Sequence, residues 1–476
     1  MSTEQEKANV LLEKSIIAAG VFNQFNQNDV DRIVKAVYEA AFNNRVSLAK
    51  MAVEETELGV WQHKVMKNVL ASQFVYENIK DEKTVGILSH DNISGITEIA
   101  QPLGPVFAVI PVTNPTSTVI YKILLCLKTR NPIIISSHRR AKQCSIKAAQ
   151  ICYEAALKAG APEDCILWIE ESSRELTHAF MTDKRMALIL ATGGTGLVKA
   201  AYSSGTPAIG VGPGNVPVFI DESADVPLAV KSVISSKSFD NGTVCASEQS
   251  VIVEKKIADE VIDEFKKQNC YFLSPDEIKK IEAFAINEKT DGMSADVVGQ
   301  SAEIIAKKAG IMIPNNIIIL MAKLDGVGEE YPLSSEVLAP ILAFYVADNY
   351  DDALKTCIDL NYLGGIGHTA SIYANDKERI AEFSNLMNAG RVVVNTPSAQ
   401  GAVGGLFNTL PTAFTLGCGA GGKNITTENI TAINLINVKR ICRRREDRRW
   451  FAFDSEKFLD ENLKVNDIIT EYNKNY

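Results

Sequence analysis

The run Ala187-Leu188-Ile189-Leu190-Ala191-Thr192-Gly193-Gly194-Thr195-Gly196 decides the fold. Five apolar residues pass through a glycine-rich turn into a helical stretch that ends near 203. Strand, turn and helix N-terminus together make a place for an anion or a pyrophosphate. The spacing is not that of the GxGxxG fingerprint, and glycine turns between strand and helix are common, so the turn argues for architecture before it argues for a ligand. The alternation extends to both sides. Short apolar runs at 106–110, 133–135, 166–169, 208–211 and 216–220 are separated by helical stretches that include 117–128 and 141–158. Strands alternating with helices predict βαβ units around a buried parallel sheet. Ligands of such sheets bind in loops at the carboxyl ends of the strands.

A second α/β pattern follows, with helices expected at 225–238, 257–267, 350–358 and 376–388. Its strands are expected at 250–253, 316–321, 341–345, 370–373 and 392–394. Upstream, residues 28–58 read as two helices, because Val30, Ile33, Val34 and Val37 share one apolar face. Asn28 is the expected N-cap and Gly59 the stop. Residues 84–100 read as a β-hairpin around the polar run 89–94, and such a hairpin exposes an edge that an oligomer contact would cover. The stretch 395–424 reads as loops and 430–441 contains a strand-forming run. The basic segment 439–449 is a solvated helix or linker, or else a docking segment.

At 476 residues the chain has room for about three domains, or for two large ones. With 46% hydrophobic and 22% charged residues it has the composition of an ordinary globular protein. A net charge of −9 argues against nucleic acid. The nine cysteines are scattered without metal-ligand spacing, which points to reduced thiols, no metal and a cytoplasmic location. The polar start Met1-Ser2-Thr3-Glu4 has no apolar signal segment, and no run of 18 apolar residues suggests a membrane span.

One cysteine stands out. Cys245 lies in Ser238-Phe239-Asp240-Asn241-Gly242-Thr243-Val244-Cys245-Ala246-Ser247-Glu248-Gln249, a small-residue turn ahead of a β-rich run. An attacking thiol needs exposure, room for substrate and nearby backbone N–H groups, and this turn offers all three. A buried cysteine packed as a small hydrophobe is the alternative. Asn114, in Pro111-Val112-Thr113-Asn114-Pro115 after the first strand, can aim its amide at an oxyanion. Asn-Pro also serves as plain turn chemistry. Gly210-Val211-Gly212-Pro213-Gly214-Asn215 is a second glycine turn, with or without a ligand.

Together these segments resemble the aldehyde dehydrogenase superfamily, and most closely its CoA-acylating branch and the aldehyde dehydrogenase half of the bifunctional aldehyde–alcohol dehydrogenases. The resemblance runs from about 25 to about 450. It rests on Thr113-Asn114-Pro115-Thr116-Ser117, the run from Ala191 to Gly205, Ala208 to Asn215, Phe239 to Ser250, Gly364-Gly365-Ile366-Gly367-His368-Thr369 and Leu416-Gly417-Cys418-Gly419. It implies an α/β protein with a Rossmann-like cofactor domain (1–222, with an oligomerisation hairpin at about 84–100) and an α/β catalytic domain (223–415). A return segment (416–442) and a basic tail or linker (443–476) complete it.

By resemblance Cys245 is the nucleophile, and Asn114 with the Cys245 N–H forms the oxyanion site. Thr192, Gly193, Gly194 and Gly212 would bind cofactor, and Glu336, in Ser334-Ser335-Glu336-Val337, would bind the nicotinamide ribose. His368 is a candidate to deprotonate or orient the CoA thiol, with a purely structural role open beside it. Two positions depart from the hydrolytic relatives. Val211 stands where they carry a water-activating glutamate, which points to acyl transfer onto the CoA thiol. Ser136, in Ile135-Ser136-Ser137-His138-Arg139-Arg140, stands near the position of their adenosine-ribose lysine, so His138 and Arg139 leave room for NADP, with NAD favoured. The implied reaction is short aldehyde, with acetaldehyde first, plus CoA and NAD to acyl-CoA and NADH. A hydrolytic NAD(P)-dependent enzyme is the alternative, and a filament or assembly subunit is the alternative of another class. A homodimer or larger oligomer and an alcohol dehydrogenase partner or domain are also implied.

Overall fold

The computed structural model describes residues 3–287, 292–443 and 459–475. The apolar face at Val30, Ile33, Val34 and Val37 is fully buried in helix Gln27–Asn43. Its N-cap is Asn26, two residues before the expected Asn28, because Asn26 and Asp29 close a reciprocal capping box. Helix Arg45–Thr56 follows and ends on Glu57 with φ 59°. Gly59 does more than stop a helix: a Cβ there would sit 2.1 Å from Asp240 Oδ1. Ahead of the first strand, two helical segments have no counterpart among the expected elements, Thr3–Phe22 and the run Trp61–Val69, Leu70–Phe74 (a π turn), Val75–Ile79.

The hairpin forms as β1 (Gly86–Asp91) and β2 (Ile96–Pro102). Next come β3 (Val106–Ile110), β4 (Ile133–Ser137), β5 (Ile166–Trp168), β6 (Leu188–Thr192) and β7 (Ala208–Val211). They make a five-stranded parallel sheet in the order β5-β4-β3-β6-β7. Helix Pro115–Lys128, on the crossover from β3 to β4, is buried along its whole length.

The second sheet holds β8 (Val216–Ile220), β9 (Glu248–Glu254), β10 (Cys270–Phe272), then, past the small pair β11 (Ile286–Asn287) and β12 (Gly292–Met293), β13 (Ile319–Lys323), β14 (Ile341–Ala347), β15 (Gly367–Tyr373) and β16 (Ala389–Val394). Its seven strands are parallel, in the order β10-β13-β14-β9-β8-β15-β16. All of β8 is buried between β9 and β15, so the change of sheet falls between Val211 and Val216 and not at 222. The expected loop region 395–424 contains a short buried helix, Ser398–Val403.

The return segment ends in β17 (Ile436–Cys442), which pairs antiparallel with β2 and completes a three-stranded sheet. Lys439 and Arg440 of the basic segment are therefore strand residues, not helix or linker, and Arg440 meets Glu98 at 2.9 Å. The rest of that segment, 444–449, lies outside the described residues. Among the described residues no helix is long and apolar enough to cross a membrane. No group of three or more His, Cys, Asp or Glu among them could hold a metal ion.

Candidate active site

The carboxyl ends of β3, β4, β6 and β7 open onto one cavity of about 530 Å³. Eight of the nine residues singled out from the sequence line it: Asn114, Ser136, Thr192, Gly193, Gly194, Gly212, Cys245 and Glu336. A smaller apolar cavity of about 50 Å³ shares Asn114, Thr192, Val211 and Cys245 with the first and is closed by Phe239, Phe414 and Leu416. Cys245 thus stands where a large cleft meets a small apolar hole.

Cys245 sits just before β9, behind the turn Phe239–Gly242, in which Asp240 and Asn241 have left-handed backbone angles. It is the half-buried member of a set whose other motif thiol, Cys418, is buried and donates to the Leu416 carbonyl at 3.3 Å. Burial pushes the Cys245 thiol up to about 12, with the Glu336 and Cys418 charges adding to it and Arg391 opposing. The thiol is the resting form at neutral pH, and catalysis has to lift its proton. Gly214 packs against this turn so closely that a Cβ on it would lie 2.3 Å from the Cys245 carbonyl oxygen.

Asn114 occupies the N-cap position of helix Pro115–Lys128, yet its side chain does not cap it. The amide is instead held by Lys67, whose Nζ donates to Oδ1 at 2.6 Å, while Nδ2 donates to Thr113 Oγ1 at 3.1 Å. Lys67 belongs to a buried cluster the sequence did not reveal. Asp240 Oδ2 accepts from Lys67, from Lys64 at 2.8 Å and from Thr243 Oγ1 at 2.7 Å. Asp240 Oδ1 accepts the Val60 N–H at 2.8 Å, and the Asp240 N–H donates to His63 Nδ1 at 2.8 Å. Burial alone would raise the Asp240 carboxyl, but the Lys67 and Lys64 ammoniums outweigh it and hold it at about 2. Burial brings Lys67 down to about 8 against the attraction of Asp240.

On the nucleotide side, the Thr192 hydroxyl is buried without a hydrogen-bond partner, as is that of Ser137. Gly194 and Gly212 have open space where a Cβ would be, and Gly194 precedes helix Thr195–Tyr202. Free hydroxyls and bare backbone around a cleft suit a dinucleotide. Glu336 accepts the Gly214 N–H on Oε1 at 3.0 Å, which leaves Oε2 for a ribose. Burial raises its carboxyl to about 7, with that N–H and Lys237 pulling the other way. Ser136 shares a hydrogen bond with Ser172 at 3.0 Å. His138 lines the cleft but accepts the Arg140 N–H on Nδ1, and burial and the two neighbouring arginines keep the ring neutral.

His368 is the exception. It is buried at the start of β15, outside both cavity walls, with Nδ1 near Thr369 Oγ1 at 2.9 Å and Nε2 unpartnered. Burial and Arg391 lower it to about 3. A Cβ on Gly214 would lie 3.3 Å from the His368 Cγ and 2.3 Å from the Cys245 carbonyl oxygen, so the ring and the cysteine backbone flank the same glycine. The missed residues had little to announce them: Lys64 and Lys67 are three apart on a helix, and only Asp240 fell inside the cysteine motif.

The sequence model described as the aldehyde dehydrogenase family matches residues 2–408. The aldehyde-alcohol dehydrogenase of Clostridium acetobutylicum is 48% identical over 450 residues, covering 94% of this chain and 51% of that protein. This chain spans about half the length of the first curated relatives it matches. The crystal structure of an acetylating aldehyde dehydrogenase from Geobacillus thermoglucosidasius is 43% identical with a TM-score of 0.91, covering 93% of this chain and 97% of that one. That of a Rhodopseudomonas palustris propionaldehyde dehydrogenase with bound CoA and an acylated cysteine is 27% identical with a TM-score of 0.82, covering 92% and 97%.

Proposed function

The chain belongs to the aldehyde dehydrogenase family, and on that premise we propose that it is the CoA-acylating kind. It converts a short aldehyde, CoA and NAD into acyl-CoA and NADH, and runs the reverse reduction as well. A nicotinamide bound in the cleft supplies the hydride acceptor. The chain supplies the rest. The Cys245 thiol gives up its proton to solvent in the cleft, and its sulfur adds to the carbonyl carbon while the C=O electron pair moves onto oxygen as an alkoxide. Asn114 Nδ2 and the Cys245 N–H hold that oxygen. Loss of hydride leaves a thioester on Cys245. The CoA thiolate then attacks the thioester carbon, and Cys245 leaves as the thiolate.

The observation that carries this reading is Val211. It ends β7, is buried, and lines both cavities beside Cys245. An isopropyl group there cannot activate water. Among the described residues the carboxyl on the larger wall is that of Glu336, which is tied to Gly214. A thioester shielded from activated water lasts until a better nucleophile arrives, and CoA is one. The small apolar cavity supports acetaldehyde over longer or charged aldehydes. The serine pair and the neutral, internally bonded His138 at the adenosine end support NAD over NADP. His368 remains a candidate for the CoA half-reaction, where a moving ligand could reach its free Nε2. Glu336, Thr192, Gly193, Gly194, Gly212 and Ser136 are the proposed cofactor contacts. Light scattering of a homodimer or larger oligomer, and an alcohol dehydrogenase unit acting on the same aldehyde, complete the proposal.

A panel of aldehydes assayed with and without CoA, on NAD and NADP in parallel, tests it. Sustained NADH and acyl-CoA formation should require CoA and be fastest with acetaldehyde and NAD. Free acid at the same rate in the absence of CoA would overturn it.

A further inference from the structure

We propose that Lys67 is a positioning residue, whose ammonium fixes the Asn114 amide so that Nδ2 faces the alkoxide formed on Cys245, and which ties that amide to the turn carrying the nucleophile. The inference rests on the aldehyde dehydrogenase reading of the site and goes beyond it to a side chain on a helix outside both sheets.

An asparagine amide is nearly symmetric in shape, and its value to an oxyanion depends on which end points inward. A lysine ammonium has three donors and no acceptor, so the atom it bonds at 2.6 Å must be Oδ1. Nδ2 is thereby turned away from Lys67. One of its hydrogens goes to Thr113 Oγ1, and the other is left for substrate. The Thr113 hydroxyl can donate or accept and so does not choose between the two ends of the amide, and the side chain makes no capping bond. Lys64 adds to the hold by donating to the Thr113 carbonyl at 3.0 Å, so backbone and side chain are pinned together.

The other donors of Lys67 go to the cysteine turn. Nζ reaches Asp240 Oδ2 and Thr243 Oγ1, the latter at 3.1 Å. Asp240 and Asn241 both have positive φ, 52° and 53°, a backbone state that asparagine and aspartate enter more readily than most. Asp240 is held there by four partners besides Lys67: Lys64, the Val60 N–H, His63 and Thr243. One ammonium therefore links the alkoxide donor to the loop that delivers the sulfur, and fixes the distance between them.

Charge supports the same role. The titratable groups around Lys67 are Lys64 and His63 on its own helix, and Asp240 and Cys245 on the opposing turn. His63 accepts on Nδ1 and burial keeps it neutral, so the buried set carries two ammoniums against one carboxylate. Held at about 8, Lys67 is still mostly an ammonium at pH 7 and so remains a pure donor to the amide oxygen.

The test is a double-mutant cycle on the full chain, read as the burst of NADH from acetaldehyde and NAD with CoA left out. Asn114→Ala should slow the burst about 100-fold. Lys67→Met should slow it at least tenfold while KM for the aldehyde changes less than threefold. The double variant should be no slower than Asn114→Ala alone, because Lys67 acts through that amide. Where Lys67→Met does not fold, Lys67→Gln, which keeps an N–H donor group, enters the same cycle: it should lose less rate than Asn114→Ala, and its double with Asn114→Ala should be no slower than Asn114→Ala alone. Losses that multiply in the double variant, or a Lys67→Met burst at the wild-type rate, overturn the proposal. A wild-type chain that gives no aldehyde-dependent NADH overturns the activity reading, and this inference with it.

Discussion

At the residue scale the chemistry turns on one missing carboxylate. Val211 and Cys245 both line the two cavities. Val211→Glu would place a carboxyl against the thioester, and burial would raise its pKa, so that its basic form appears only toward neutral pH and above. The expected outcome is free acid released over many turnovers without CoA, at least about tenfold above wild type and rising with pH, measured by product chromatography. A variant that accumulates thioester as wild type does would remove Val211 from the argument. The cysteine, the Asn114 amide and the glycine turns could all be located from sequence, because each sits in a motif whose local shape is set by a few neighbours, and the structure brings them to one cavity. His368 could not be placed that way. Its motif is legible as a unit, but only the fold shows that the ring is buried outside the walls of both cavities, with Gly214 packed against it and against the Cys245 carbonyl.

At the element scale, legibility followed hydrophobic contrast. Helix Gln27–Asn43 was plain because its apolar stripe is also its buried stripe. Helix Trp61–Val69 was invisible because the residues it buries are Lys64, Lys67 and Asn68, the reverse of the pattern that marks a core face. Helix Pro275–Ala285 was overlooked although Ser274 and Glu277 form a capping box that does show in the sequence. The hairpin was foreseen, and its consequence is testable. β1 lies at an edge of its sheet, and Ile87 on it is exposed, as is Ile93 in the turn. An exposed edge favours pairing with another chain, although the irregularity between Ile87 and Ser89 bends this one. Light scattering at micromolar concentration should find at least two chains per particle, and Ile87→Lys should weaken that association by about tenfold. Monomer alone in the wild type would refute the role given to the hairpin.

At the scale of the whole molecule, the first parallel sheet presents the carboxyl ends of its strands to the cleft, the second closes it with segments that lead into the amino ends of β8, β9 and β14, and ionisable groups are buried at and behind the walls. Glu248 and Glu336 are both raised to about 7, by burial foremost. A carboxyl raised above its unfolded value of about 4.3 binds more protons folded than unfolded between those two pH values. Stability therefore falls as pH rises from about 4.3 to about 7 and levels off above. Asp240, held at about 2, acts in the opposite sense: its contribution is present above about 4 and is lost as pH falls toward 2. Glu248→Gln should flatten the decline between pH 5 and 8 by on the order of 1–3 kcal/mol, read from urea midpoints at each pH. A decline as steep as in wild type would show that Glu248 titrates normally. The break between the sheets was misjudged by a few residues because β8 follows β7 with only a glycine turn between them, and nothing in an apolar strand says which sheet will receive it. The lysines of the interior carry one more implication. Lys64, Lys67, Lys122, Lys128 and Lys237 are all buried, with their ammoniums spent on internal acceptors. An amine-reactive label would coat the outside of the folded chain and pass these five by, so their first modification would mark the moment the interior opens to solvent.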